Sequence, residues 1–454
     1  MFRVVTLLLC ILLTWAGSVC AQETMNLQQA LDVALKQNPL IKADRETVTL
    51  KKMEKFEAFT DLFLPTVSVN YNYLHYNEDP YIELNQDYYK DITYNGTPLS
   101  DTITTIFPDF TIPIGYQDNY QFTTSVTKVL FAGGALFNSY RSASQSVRSS
   151  EIDTLKNIRE LKIKVIEAYY GVLASRQAVA VAKSGVASVK SHVDQAQAFY
   201  RSGVIPKNDL LTAQVKYAET QQALITFENV SQTAEAGFNL VLARPISTPV
   251  EIDDDIPQPP LDGPFDSLID TAMQNRQELQ SMELQAGSLK KRVYAARGGL
   301  IPTVAANYSY TRVGEDPDVP DASWTVGVGL QWTLLGRQPV VGGTNYSNLV
   351  KANAAHNAVQ YALQSEREQV TFDVKRSYLA ALEARAKIDV GIKAVEQAEE
   401  NLRILKQKYN LQSATSTDVL DAQAMLDKAR TTYITARTDY ATAIAKLHAS
   451  MGIL

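Results

Sequence analysis

Leu64-Pro65-Thr66-Val67-Ser68-Val69-Asn70-Tyr71-Asn72-Tyr73 returns in the second half of the chain as Ile301-Pro302-Thr303-Val304-Ala305-Ala306-Asn307-Tyr308-Ser309-Tyr310. In the first copy Val67, Val69, Tyr71 and Tyr73 interleave with Thr66, Ser68, Asn70 and Asn72, and the second copy alternates in the same way. A period of two sends alternate side chains to opposite faces of a β-strand. Two more runs share it. Tyr120, Phe122 and Val126 interleave with Gln121, Thr123, Ser125 and Thr127; Trp324, Val326, Val328, Leu330 and Trp332 interleave with Thr325, Gly327, Gly329, Gln331 and Thr333. Strands are therefore expected over about 65–76, 119–131, 302–312 and 323–334. Each run is about ten residues, the length of a tilted membrane-spanning strand. Tyr71, Tyr73, Tyr120, Phe122, Tyr308, Tyr310, Trp324 and Trp332 suit the aromatic girdles of a membrane interface, while the other face is polar and uncharged, as a wet lumen would be. A soluble sandwich with one buried face competes for any single run. Four runs with large aromatics on the same face favour a barrel.

Four strands do not close. A membrane-spanning sheet tolerates no free edge, and the smallest such barrels have about eight strands. The chain must therefore oligomerise: a dimer supplies eight strands and a trimer twelve, and geometry alone does not choose between them.

A second internal match extends the repeat. Tyr200 through Gln214, with Asp209-Leu210-Leu211 and Ala213-Gln214, returns as Tyr409 through Gln423, with Asp418-Val419-Leu420 and Ala422-Gln423. The stretch from Tyr73 to Tyr200 is longer than the equivalent stretch from Tyr310 to Tyr409, so the first copy holds an insertion. It falls in Asn77 to Asp118, far longer than its counterpart Val313 to Ser323. The chain divides into a first repeat at 22–243, a proline-rich linker at 244–264 and a second repeat at 265–454. Each repeat carries a long helical hairpin, expected at about 135–242 and 344–451. Ala135 to Tyr200 and Thr344 to Tyr409 contain no proline, and such a run makes a helix of roughly 100 Å at 1.5 Å per residue. Ile388, Ile392, Val395, Ala398, Leu402, Leu405 and Tyr409 follow the period of a coiled-coil seam, about 3.5 residues. Asn38–Leu62 with Lys207–Leu242, and Gln277–Gly298 with Asp418–Met451, nearly match one long helix when laid end to end, which suggests a wall of stacked short helices beside long ones.

The first 21 residues read as a secretory signal: Arg3, then an apolar run from Val4 to Trp15, then Val19-Cys20-Ala21 before Gln22. That run is too short for a spanning helix, which needs about 20 residues. A lipoprotein reading acylates Cys20, but Val19 sits where a small residue is wanted. Both cysteines, Cys10 and Cys20, lie in this segment, so cleavage leaves neither disulfides nor thiolate chemistry. The formal charge is −6, or −7 without Arg3, and no lysine- or arginine-rich run appears, so nucleic-acid binding has no support.

The whole mature pattern resembles the TolC-type outer-membrane efflux protein family. The likeness rests on the signal, the doubled Leu/Ile-Pro-Thr-Val strand starts and the two motifs Tyr200-Arg201-Ser202-Gly203-Val204 to Asp209-Leu210-Leu211 and Tyr409 to Asp418-Val419-Leu420-Asp421. The resemblance implies an α+β protomer of a homotrimer, with a transmembrane β-barrel of four strands per protomer continued by a periplasmic α-helical barrel. It implies residence in outer-membrane lipid, and a passive duct joined to an inner-membrane pump by a periplasmic adaptor, for efflux or type I secretion. Asp418 and Asp421 match the aspartates ringing the family's periplasmic gate, and three chains would gather six such carboxylates. Helix capping competes for Asp418, since Thr417 and Asp418 stand at an expected helix start. Gly203, Val204, Asp209, Leu210, Ser413 and Ala414 fall at the adaptor-docking tips, for which simple tight turns are the bland alternative. Ala414 stands where the family's best-known pattern has an arginine, so that ionic latch is not expected here. Glycine is also absent from the turn Gln412-Ser413-Ala414.

No enzyme is expected. His75, His192, His356 and His448 are scattered, with no metal spacing among them, and neither a metal nor a cofactor is implied. Gly133-Gly134 reads as a strand-to-helix turn and not as a phosphate loop. Asn77–Asp118 holds eight acidic residues against Lys90 alone, a solvated rim if it faces outward. The competing class is a periplasmic coiled-coil scaffold with a small β-domain.

Overall fold

The computed structural model describes residues 24–84, 93–98, 110–261, 263–318, 321–333 and 343–454. The expected signal lies outside them, as does part of the acidic insertion. In chain order the elements are α1 Leu27–Gln37, α2 Pro39–Phe63, β1 Thr66–His75, β2 Tyr81–Leu84, β3 Thr93–Tyr94, β4 Thr97–Pro98, β5 Phe110–Pro113 and β6 Asp118–Phe131. There follow α3 Ala135–Arg201, α4 Lys207–Val241, α5 Phe265–Asn275, α6 Gln277–Gly298, β7 Thr303–Gly314, β8 Asp321–Gln331, α7 Gly343–Asn410 and α8 Ser416–Ser450. Helices α3 and α7 run 67 and 68 residues. The chain forms two compact units. One comprises the described residues up to Thr49 with Arg148–Glu283 and Tyr361–Leu454; the other comprises Leu50–Val147 and Leu284–Gln360.

The second unit is built on an antiparallel sheet of order β1-β6-β7-β8. Its register explains the alternation residue by residue. Val67, Val126, Tyr308 and Val326 lie abreast on one face, and Val69, Thr124, Tyr310 and Trp324 form the next row. On the opposite face Ser68, Ser125, Ser309 and Thr325 lie abreast, followed by Asn70, Thr123, Thr311 and Ser323. Hydroxyls bond across the polar face, with Ser68 and Ser125 Oγ atoms 2.7 Å apart. Lys128, on the apolar face, sends its Nζ to the carbonyls of Asp61, Leu62 and Leu64 at 3.1, 2.8 and 3.1 Å, so its charge meets the negative end of α2. After β6 the turn needs Gly133, whose φ is +58° and whose Cβ would stand 2.6 Å from the Gly298 carbonyl. Gly133-Gly134 is thus a strand-to-helix turn. Serines allow α3 and α6 to approach closely, with Ser288 Oγ 2.9 Å from Ser142 Oγ and 3.0 Å from Ser146 Oγ. Within the insertion, β2 pairs with β5 and β3 with β4, two small ladders in a segment whose sequence reads as loop.

The first unit is helical. Its main core packs Ala30 and Ala34 of α1, Ile41 of α2, Leu161 to Leu173 of α3, and Phe238 and Leu242 against Val250, Ile252 and Ile256. The proline-rich stretch is therefore more than a tether. Val250, Ile252 and Ile256 are buried, Met25 N donates to Glu251 O at 2.8 Å, and Tyr169 donates to Asp253 O at 3.1 Å. The seam read on α7 holds at Ile388, Leu402 and Tyr409, which are buried, but not at Ile392, which is exposed. Gly391 takes the inner place, where a Cβ would stand 3.2 Å from the Tyr433 ring, a tight fit; a 3.6-residue helix drifts off a strict 3.5 repeat.

Two arginines are sunk in this unit. Arg159 and Arg276 are 5% and 8% exposed. Arg159 bonds Gln277 and Glu278, and Arg276 Nε lies 3.1 Å from Glu278 Oε2, with Asp373 at 3.6 Å. Burial pushes Glu278 toward the neutral form, but the Arg159 hydrogen bond and both guanidinium charges outweigh it and hold its pKa down. Removing one member of such a group strands the others. Glu278→Gln is expected to destabilise the unit by about 3 kcal/mol, read as an earlier urea-induced loss of helical circular dichroism; an unchanged midpoint contradicts this role.

Candidate functional site

Two features hold the residues singled out by sequence: the apolar face of the sheet, and the pair of interhelical turns in the helical unit. On the sheet, Tyr73 and Tyr120 rings lie 4.7 Å apart and Tyr71 and Tyr120 rings 6.5 Å apart. Phe122 sits opposite Tyr71, and Trp324 opposite Tyr310. These six aromatics gather toward one end of the face. Trp332 lies past the other end of β8, its Nε1 donating to Leu300 O at 3.2 Å. Tyr308 stands mid-strand between Val126 and Val326. Val326, Val328 and Leu330 are 70%, 70% and 68% exposed, so a stripe of aliphatic side chains has no cover among the described residues. Among the described residues no helix is long and apolar enough to cross a membrane; the sheet carries the apolar surface.

The turns end α3 and α7 in the same way. Val204 N donates to Phe199 O at 2.9 Å and Gly203 N to Tyr200 O at 3.0 Å, with Gly203 at φ +75°. Ser413 N donates to Lys408 O at 2.8 Å and Gln412 N to Tyr409 O at 3.0 Å, with Gln412 at φ +61°. Both are Schellman closures, which favour glycine in the left-handed position. The first turn has one; the second forces a side chain into that conformation.

Beyond the turns the helices start differently. Pro206 precedes α4 without a side-chain cap, and Asp209 lies in its first turn. Helix α8 opens on a capping box: Asp418 N donates to Thr415 Oγ1 at 3.2 Å, while Thr415 N donates to Asp418 Oδ2 at 2.8 Å. The cap is Thr415, two positions before the expected Thr417. The Thr415 amide, and then its hydroxyl at 2.7 Å, hold the Asp418 carboxyl below its ordinary range. Asp421, one turn on, is exposed.

Behind the turns lie two small cores. Leu210 and Ala213 pack with Val189, Ala196 and Leu420. Tyr409 packs with Leu402, Val419, Ala422 and Leu426, with Phe199 and Ala414 at the margin. Leu210 and Ala414 thus brace the turns from inside, whereas Gly203, Val204 and Ser413 are exposed. One of the scattered histidines belongs here. His192 is 5% exposed, its Nε2 lies 2.8 Å from Ser416 Oγ, and its ring centre lies 4.7 Å from that of Tyr409. No local pattern marks it, because both partners come from the other half of the chain.

A two-faced sheet with an uncovered apolar side, in a chain with helices of this length, is the pattern that the TolC-type resemblance implies. Residues 93–244 and 268–453 match the model for outer membrane efflux proteins, and the chain belongs to that family. It is similar to the alkaline protease secretion protein AprF of Pseudomonas aeruginosa, 24% identical over 374 residues, covering 80% of this chain and 76% of AprF. Among solved structures, the fold matches the Campylobacter jejuni CmeC outer membrane channel at TM-score 0.77 and 14% identity, covering 94% of this chain and 85% of that one. It also matches the Vibrio cholerae outer membrane protein VceC at TM-score 0.72 and 14% identity, covering 94% and 96%. The protein is an outer-membrane exit duct, and its family is one of conduits.

Local closure energies make the turns testable. Thr415→Ala removes a cap worth about 1 kcal/mol, and Gln412→Gly relieves left-handed strain of similar size. Amide hydrogen exchange in the second turn should speed up roughly fivefold in the first variant and slow in the second.

Proposed function

We propose that three copies of this chain form a passive conduit that joins a periplasmic adaptor and an inner-membrane pump to the exterior. The observation that carries this reading is the pair of unpaired edges, β1 and β8, on a sheet whose apolar face is bare. In the order β1-β6-β7-β8 the directions alternate, so β8 of one copy meets β1 of the next as an antiparallel neighbour. Head-to-tail contacts of this kind close into rings. Three copies give twelve strands, the assembly implied by the TolC-type resemblance.

The helical unit supports the same ring. Tyr361, Phe372, Leu379 and Val390 of α7 are 74%, 57%, 51% and 67% exposed. Each follows the last by close to a whole number of turns, which keeps all four within a narrow stripe of an α-helix. Leu211, Val215, Ile225 and Leu240 form a comparable exposed stripe on α4. Two unpartnered stripes on different hairpins suit a neighbour on either side. The two-repeat organisation, with its linker at 244–264, puts equivalent hairpins at corresponding places in the two halves: Gly203 and Gln412 close one pair of helices, and Ala243 and Gly452, at φ +56° and +77°, close the other.

In this reading Tyr71, Tyr73, Tyr120, Phe122, Tyr310 and Trp324 lie at one lipid interface, Trp332 lies at the other, and Tyr308 faces lipid between them. The turns around Gly203-Val204 with Asp209-Leu210, and around Ser413-Ala414, form the periplasmic tips that receive the adaptor. Asp421 offers a free carboxylate to the gate, whereas Asp418 divides its carboxylate between capping and the lumen. The cargo is small solutes or a secreted polypeptide, the latter favoured by the likeness to a protein named for protease secretion.

Two experiments test this. Val326→Lys puts a charge in lipid and is expected to destabilise the barrel by about 2–4 kcal/mol, lost as trimer on gels, while Thr325→Lys on the polar face leaves assembly intact; equal effects would refute the facing. Asp418→Asn with Asp421→Asn should weaken cation preference in planar bilayers, and an unchanged reversal potential removes the gate assignment.

A further inference from the structure

His192 stands where a small change has leverage. Its partners are Tyr409, next to the last residue of α7, and Ser416, the first residue of α8, so a single ring touches both sides of the turn 411–415. Three helices converge on it, and both partners are buried, at 4% and 1% exposure. Among the described residues no compensating anion meets the ring. Helix α8 presents Ser416 and the positive end of its peptide dipoles, which disfavour a cation. Helix α7 presents Lys406, whose Nζ donates to Ser188 Oγ at 2.9 Å one turn back along α3. Burial, and then the carboxylate of Asp209 on α4, act on Tyr409 and raise its pKa. Asp427 of α8 is tied to Gln423 at 2.9 Å, and Gln423 to Ser188 at 2.6 Å. On α3 itself, Asp194 is exposed.

We propose that His192 is a proton-operated positioning residue. Neutral, it docks the second interhelical turn onto the first hairpin; charged, it leaves the site and frees that turn. This contact acts beside the bond from Gln195 Nε2 to Asn410 Oδ1 and the core around Tyr409, and it alone among them can change its charge near neutral pH. The proposal rests on reading the turn as the gate.

The sign follows from burial. Desolvation, and then the Lys406 charge, lower the His192 pKa from 6.5 to about 4 in the docked state. A released ring returns to the ordinary value, so the docked state loses ground as pH falls below 6.5 and stops losing near 4. Between pH 7.5 and pH 5.0 the released-to-docked ratio should rise roughly 25-fold.

The test uses the full chain in liposomes with a nitroxide on Ser413→Cys, the chain's own cysteines, Cys10 and Cys20, being confined to the signal segment. Spin-label mobility reports the turn, and planar-bilayer conductance of the same protein reports the pore. Mobility is expected to rise between pH 7.5 and pH 5.0 in the parent, and to stay low at both values in His192→Asn and in His192→Phe, which preserves packing on Tyr409. A parent turn that ignores pH, or variants that respond as the parent does, overturns the proposal. A His192-dependent change in mobility with unchanged conductance upholds the positioning role and removes the gate reading instead.

Discussion

Hydrocarbon offers no hydrogen bonds, so every backbone N–H and C=O that enters it must already have a partner. This requirement governs the sheet of the protein. Its inner strands β6 and β7 are paired on both sides, while β1 and β8 have one neighbour each. The exposed valines of β8 make water an unsuitable surrounding for the same strands that have unmet backbone groups. Lipid satisfies the side chains but penalises the edges; another copy satisfies the edges. Membership in the outer membrane efflux family and the ring of copies proposed above are thus consistent with one physical requirement. Lys128 shows how tightly the apolar face is managed. Its cation leaves the strand surface and is absorbed by three carbonyls at the end of α2.

The helical unit solves a different problem, the closing of long helices without loops. All four hairpin helices, α3, α4, α7 and α8, finish in a left-handed residue: Gly203, Ala243, Gln412 and Gly452. Equivalent positions in the two halves alternate between glycine and a residue with a side chain. A backbone shape has been kept where the residue best suited to it has not, because the bonds to Phe199 O and Lys408 O matter more than the local cost.

The strands were legible because their information is local. Each of Val67, Val69 and Tyr71 announces its face through its neighbour, and the doubled Pro-Thr-Val start marks where two of the runs begin. The turns were legible as turns for the same reason. The packed stretch around Val250 and Ile252 was not, since prolines there obscure an apolar alternation whose partners lie on α1 and α3. Ile392 was misassigned because a coiled-coil period cannot reveal that Gly391 packs against Tyr433 in its place. The ladders β2–β5 and β3–β4 were hidden by the acidic character of the insertion. Arg159, Arg276 and Glu278 were invisible as a group, as was His192, because their meaning comes from residues far away in the chain.

The polar side of the sheet has a consequence for what it can sort. Ser68, Ser125, Ser309 and Thr325 in one row, and Asn70, Thr123, Thr311 and Ser323 in the next, present hydroxyls and amides that donate and accept as water does. A solute brushing such a wall would exchange one hydrogen bond for an equivalent one, with little gain for either sign of charge. In the conduit proposed above, a strand-lined stretch of this character would discriminate little among solutes, and selection would fall to a different part of the route.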